Sequence, residues 1–147
     1  MKFFRFFLLL PVLLIASCGD SYYYTEEVVM NTVTKQYVVF SGDWKLARQG
    51  GLPESSDRTY FYFDFTEPEL TNKILNQGMI SAFLVLNDRP LVLSPLPFND
   101  YYQDAYSWTE QVTCEFSLQN VRFKVKYSDF NVRERPLDYT FLVRFAW

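Results

Sequence analysis

Hydrophobic and polar residues alternate through most of this chain. In Tyr60-Phe61-Tyr62-Phe63-Asp64-Phe65, the three phenylalanines share one face while Tyr60, Tyr62 and Asp64 share the other. That period of two predicts a strand with its phenylalanine face inward. Val121 to Tyr127 repeats the pattern, with Val121, Phe123, Val125 and Tyr127 inward and Arg122, Lys124 and Lys126 outward. It predicts a hairpin with Trp108 to Phe116 across Ser117-Leu118-Gln119-Asn120. The first arm puts Trp108, Val112, Cys114 and Phe116 on the inward side, where Glu110 interrupts an otherwise apolar face. Thr109, Gln111, Thr113 and Glu115 then lie opposite the basic row, and opposite charges across a ladder help modestly. Tyr139 to Trp147 alternates to the last residue and predicts a terminal strand that the fold needs. Gln36 to Phe40 is a further strand, and Ser41-Gly42-Asp43 turns it into Trp44-Lys45-Leu46. An earlier strand is expected to begin near Val28-Val29-Met30, and Arg48 to Arg58, rich in Gly, Pro and Ser, reads as a surface loop.

Two stretches break the alternation. Met79 to Leu86 is apolar on both faces, as a central strand covered on each side would be; Asn87-Asp88-Arg89-Pro90 then turns into Leu91-Val92-Leu93. Pro95 and Pro97 assign that strand to an edge, because proline cannot donate to a ladder. The other stretch predicts one short helix near residues 67–77. Thr66 is placed to cap it, Pro68 to open it, Glu69 to complete a Thr-x-x-Glu capping box and Gly78 to end it. Leu70, Ile74 and Leu75 form its apolar stripe, and a helix this short depends on packing that stripe against a sheet. The expected fold is mainly β: an antiparallel β-sandwich, Ig-like or related, formed by residues 31–147 as one domain.

The N-terminal segment has a different character. Lys2 and Arg5 precede an apolar run from Phe6 to Ile15, followed by the small residues Ala16 and Ser17, which is the layout of a secretory signal. The run is too short for a span, since crossing a bilayer takes about 20 apolar residues. Ile15-Ala16-Ser17-Cys18 resembles the lipobox of bacterial lipoproteins: an aliphatic residue, two small residues, then cysteine. That resemblance covers residues 1–18. It implies cleavage between Ser17 and Cys18, a diacylglycerol thioether on Cys18, acylation of the new amino group and anchoring in membrane lipid. One acyl chain binds a membrane marginally, whereas two or three anchor it stably. Residues 1–17 are then a cleaved signal and residues 18–30 an anchor with a short spacer.

Cleavage would remove Lys2 and Arg5 and take the net charge from −3 to −5. So acidic a chain argues against nucleic acid as a partner, because phosphate binding requires clustered Lys and Arg. The chain has two cysteines, Cys18 and Cys114, and no histidine. With Cys18 acylated, no intramolecular disulfide framework exists. Cys114 reads as a small buried hydrophobe, and the nucleophile reading lacks a histidine partner. The same absence weakens zinc binding and pH switching.

The candidate chemistry centres on Asn99-Asp100-Tyr101-Tyr102-Gln103-Asp104-Ala105-Tyr106-Ser107-Trp108, read as a loop. Tyr101, Tyr102, Tyr106 and Trp108, beside amides and carboxylates, are the candidate contacts for a glycan or an envelope protein; their plainer role is to cover one end of the sandwich. Asp100 and Asp104 lack the spacing and glycine of a known calcium loop. Asp64, Glu67 and Glu69 suggest a carboxylate pair for glycoside hydrolysis, but Glu67 and Glu69 in a first helical turn already have a role against the helix dipole. No metal, cofactor or phosphate motif is expected.

Ser41-Gly42-Asp43-Trp44, the stretch from Leu70 to Met79 and Tyr127-Ser128-Asp129-Phe130 resemble short uncharacterised lipoproteins of Bacteroidota. The resemblance implies a small envelope lipoprotein and carries no activity with it. Gly19 occupies the position after Cys18 where an aspartate would signal inner-membrane retention, which favours the outer membrane. The expectation is a lipid-anchored, non-catalytic binding or structural module of the bacterial envelope. A small glycan-directed hydrolase or a folded subunit of a surface assembly are the alternatives.

Overall fold

A computed structural model describes residues 31–47, 59–103 and 107–147. Among the described residues, nine strands form two antiparallel sheets packed as a sandwich. The strands are β1 (Thr32–Val39), β2 (Lys45–Ala47), β3 (Tyr60–Thr66), β4 (Met79–Asp88), β5 (Leu91–Pro95), β6 (Phe98–Gln103), β7 (Ser107–Ser117), β8 (Asn120–Tyr127) and β9 (Tyr139–Ala146). One sheet runs β1-β9-β4-β5 and the other β2-β3-β8-β7-β6.

The alternating segments form the core as their pattern requires. Val121, Phe123 and Val125 of β8 face Phe141, Val143 and Phe145 of β9, and all six are fully buried. Phe123 and Phe141 stack across the two sheets with centroids 3.9 Å apart, and Tyr37 of β1 packs on Phe65 and Phe123. The hairpin has the expected register, Ser117 opposite Asn120 and Phe116 opposite Val121. Gln119, at its turn, adopts a left-handed φ of 56°. The terminal strand is integral: β9 pairs with β1 on one side and β4 on the other. β5 is an edge strand, and Ser41–Asp43 forms a single 3₁₀ turn that leads into buried Trp44.

Three expectations change. The helix, α1, covers Asn72–Gln77, and its cap is Thr71, whose Oγ1 accepts from the Ile74 N–H. Thr66 still pairs with Asn120, and the Glu67 N–H donates to the Gln119 carbonyl, so the backbone stays committed to the sheet beyond the expected start. Leu70, Ile74 and Leu75 do pack inward, and Gly78 does end the helix. A Cβ on Gly78 would lie 2.7 Å from the Ile74 carbonyl and 2.8 Å from that of Ala146, so close approach selects glycine there.

The second change concerns β4, which is interior to its sheet but not covered on both faces by the described residues. Its inward set is Ile80, Ala82 and Leu84; on the other face Met79 is 64% exposed and Phe83 lies beneath the Arg144 guanidinium. The third is that Asn99 to Gln103, read as loop, belong to an edge strand, β6, paired with the expected hairpin arm β7. The stretch at Val28-Val29-Met30 and the loop at 48–58 lie outside the described residues.

Candidate functional site

The pairing of β6 with β7 sorts the aromatic residues onto two faces. Tyr102 stands opposite Trp108 and Asp100 opposite Glu110, all on the inward side of the five-stranded sheet. Tyr101, one residue along, projects outward and is 78% exposed. Tyr102 and Trp108 stack with centroids 4.2 Å apart and planes 12° from parallel, and Tyr127 of β8 meets Trp108 edge-on at 5.5 Å. The four candidate aromatics therefore do not form one patch: Tyr102 and Trp108 come together, Tyr101 is on the opposite face, and Tyr106 lies outside the described residues, as do Asp104, Ser17 and Cys18.

These rings wall a cleft of 370 Å³ at one end of the sandwich. Glu110 lies among them, and Asp129, Asn131, Glu134 and Arg135 come from the segment joining β8 to β9. Glu110 is 5% exposed. The Tyr139 hydroxyl, from the opposite sheet, donates to Glu110 Oε1. Burial pushes the Glu110 carboxyl above its ordinary range, the Tyr139 hydrogen bond opposes this, and the neighbouring Asp100 adds to it. Burial and hydrogen bonding with Asp100 push Tyr102 up to about 12. Burial, with Glu110 nearby, also raises Tyr127 and Tyr139. The phenols stay protonated and can donate, so the cleft offers aromatic surface, hydroxyls and negative charge.

The other acidic candidates have separate roles. Asp64 faces out from β3, where the Arg122 guanidinium grips it at 2.7 and 3.0 Å; with Asn120 also donating, its carboxyl is held below the usual range. Asp64 and Asp100 thus occupy opposite faces of one sheet and do not converge. Glu67 is not in a helical turn: it is 3% exposed and accepts from Lys35 Nζ at 2.7 Å, the Tyr37 hydroxyl at 2.5 Å and the Glu69 N–H at 3.2 Å. Its three donors tie it to β1 and to its own turn. Glu69 remains exposed and pairs with Lys35 at 3.2 Å.

Cys114 is a free thiol packed against the core and half-buried; burial pushes it well above the ordinary thiol range, which disfavours the nucleophilic thiolate. It lines a second, mostly apolar cleft of 470 Å³ with Ile80, Ala82, Leu96 and Phe116. Among the described residues, no group of three or more His, Cys, Asp or Glu is placed to hold a metal ion. No helix among them is long and apolar enough to cross a membrane.

Sequence reasoning missed Glu110, Tyr127 and Tyr139 as parts of a site. The available signal was the position of Glu110, a carboxylate on the inward face of an amphipathic strand. The fold and site define an antiparallel β-sandwich with an acidic, aromatic-walled cleft at one end. No family model, curated protein or solved structure matches the chain.

Proposed function

We propose that this protein is a lipid-anchored lipoprotein of the bacterial envelope that binds a ligand or partner through the cleft beside Tyr102 and Trp108. The observation that carries the binding reading is the Tyr102–Trp108 stack standing over a buried carboxylate, Glu110, in a cleft of 370 Å³. Stacked rings supply rigid contact area at low entropy cost, and a few polar groups among them orient what binds. The anchor rests on Ile15-Ala16-Ser17-Cys18 alone, and outer-membrane placement on Gly19.

Two experiments test these parts separately. Cys18→Ala releases the protein from the membrane fraction; a variant that stays with membranes overturns the anchor. An envelope pulldown and a glycan array, each run with Tyr102→Ala as the control, test the cleft. Loss of capture in Tyr102→Ala supports it, and capture unchanged by that substitution moves the binding site elsewhere. The hydrolase alternative keeps one supporting observation, that Asp100 and Glu110 are cross-strand neighbours with the Glu110 carboxyl raised. Turnover of a glycan that Glu110→Gln abolishes would favour it.

A further inference from the structure

We propose that the cleft takes an organic cation, an alkylammonium group seated among Tyr102, Trp108 and Tyr127 against the carboxylate of Glu110. The proposal rests on the binding reading above and names the class of ligand. Three observations lead to it.

The first is the state of Glu110. It is nine-tenths buried and lines the cleft, and among the described residues its one hydrogen-bond donor is Tyr139, on Oε1. The same carboxylate opens onto the cleft walled by Tyr102, Trp108 and Tyr127. A carboxylate so placed is costly to keep charged unless a cation or donor reaches it.

The second is the balance of charge. Among the described residues, Glu110, Asp129 and Glu134 line the cleft against one cation, Arg135, whose Nη1 donates to the Gly42 carbonyl. Asp100 adds negative potential from the neighbouring strand. An anionic ligand would meet this field unfavourably, and a neutral one would leave it uncompensated. An inorganic cation lacks a chelating set among the described residues.

The third is where the protein spends its own cations. Arg122 lies over Tyr62 at 4.7 Å and Lys124 over Tyr60 at 4.8 Å, while Lys45, Lys126 and Arg144 cover Phe63, Phe130 and Phe83. None of the residues in these five pairs lines the cleft. Its rings, Tyr102, Trp108 and Tyr127, stand among Glu110, Asp129 and Glu134 yet carry no such pair among the described residues. Ring faces beside carboxylates are the surroundings in which an ammonium ion, and above all a poorly hydrated alkylated one, gains most from cation–π attraction.

The test follows the Trp108 indole N–H by nitrogen–proton NMR on the full chain in a non-ionic polyoxyethylene detergent, with the resonance assigned by Trp108→Phe. Choline and 1,5-diaminopentane are titrated alongside 3,3-dimethylbutan-1-ol, the neutral isostere of choline, and glucose, all at constant ionic strength. Saturable shifts from the ammonium compounds, at least about tenfold tighter than from the isostere, support the proposal. Glu110→Gln should weaken the ammonium compounds about tenfold or more and leave the isostere unchanged. Glu134→Gln, an exposed rim position, should weaken them by a smaller factor without any burden on folding. Equal shifts from choline and its isostere overturn the ammonium assignment, as do shifts from glucose alone, but both leave a binding cleft standing. If none of the four compounds moves Trp108, the ammonium assignment is overturned; a pulldown that Tyr102→Ala leaves unchanged overturns the binding cleft as well.

Discussion

Tyr37→Phe removes one oxygen from the core and tests how the Glu67 carboxylate is held. Glu67 has three donors, Lys35, the Tyr37 hydroxyl and the Glu69 N–H, and both Tyr37 and Glu67 are buried. A hydrogen bond to a charged group contributes about 1.5–3 kcal/mol. The lower half of that range applies to Tyr37→Phe, because Glu67 keeps two donors, so the expected loss is about 2 kcal/mol. Glu67→Ala strands the Tyr37 hydroxyl in the core and leaves Lys35 with Glu69 alone. Breaking a buried ion pair costs about 3–5 kcal/mol. Lys35 is 30% exposed, so solvent screening reduces its share, and about 3 kcal/mol is expected.

Urea unfolding in non-ionic detergent at pH 7 measures both variants, and a double-mutant cycle with Tyr37→Phe and Glu67→Gln isolates their coupling, expected near 1 kcal/mol or above. The pH dependence has a definite sign. Burial alone would raise the Glu67 carboxyl, but the hydrogen bonds from Lys35, Tyr37 and the Glu69 N–H outweigh it and hold the group below the ordinary 4.5. A folded value below the unfolded one means that the stabilisation is complete above about 4.5 and is lost as pH falls through the lowered value. Glu67→Gln should therefore cost stability at pH 7 and progressively less in acid. A Tyr37→Phe loss under about 0.5 kcal/mol, or strict additivity in the cycle, would refute the account of a carboxylate held by shared donors.

Glu110→Gln should act in the opposite sense. Its folded value is raised, so its contribution is complete below the unfolded carboxylate range and is lost as pH rises through the folded value; the neutral amide should gain on the order of 1 kcal/mol at pH 7 and little at pH 4, as followed by thermal melts at the two pH values. Gly78→Ala should cost about 2 kcal/mol in urea unfolding, because the new methyl meets two backbone carbonyls that cannot swing aside. Deleting residues 141–147 removes three fully buried side chains and the strand that joins β1 to β4, and circular dichroism should show no cooperative melt; a soluble truncated chain that melts cooperatively would show β9 to be dispensable.

The sandwich was legible wherever one face of a strand meets the core and the other meets water, because burial then writes a period of two into the sequence. β3, β8 and β9 are of this kind, and Pro95 marked β5 as an edge through the donor it lacks. The helix start was misread because Thr66-x-x-Glu69 satisfies a capping box locally while long-range pairing with Asn120 and Gln119 holds Thr66 and Glu67 in the sheet. β4 was misread because apolar residues on both faces reveal nothing about whether a second layer covers them. The aromatic segment around Tyr101 and Tyr102 resembled a loop because its Asn, Asp and Gln residues match turn chemistry, whereas it forms an edge strand whose pairing sends adjacent tyrosines to opposite faces. The Tyr139–Glu110 contact joins strands 29 residues apart and leaves no local trace in the sequence.

The contrast between the two buried carboxylates explains which one belongs to the fold and which to the cleft. Both are at most 5% exposed, yet one is held below the carboxylate range and the other above it. Burial opposes charge at each, so the difference lies in the donors. Glu67 has an ammonium, a phenol and a backbone N–H directed at it, and the segment from Glu67 to Leu70 is further clamped to the Gln119 backbone. Its charge is compensated within the chain, and its removal should register as lost stability. Among the described residues, Glu110 has one phenol, a neighbouring aspartate that makes charging harder, and an opening walled by aromatic rings. A sandwich selected for stability alone would favour an apolar residue there, between Trp108 and Val112 on the inward face. A buried acid whose charged form is opposed by burial and that opens onto a cleft therefore fits a ligand that completes its solvation. If Glu110→Gln instead destabilised the protein at pH 7, Glu110 would be a second structural carboxylate, and the case for the cleft would lose its main support.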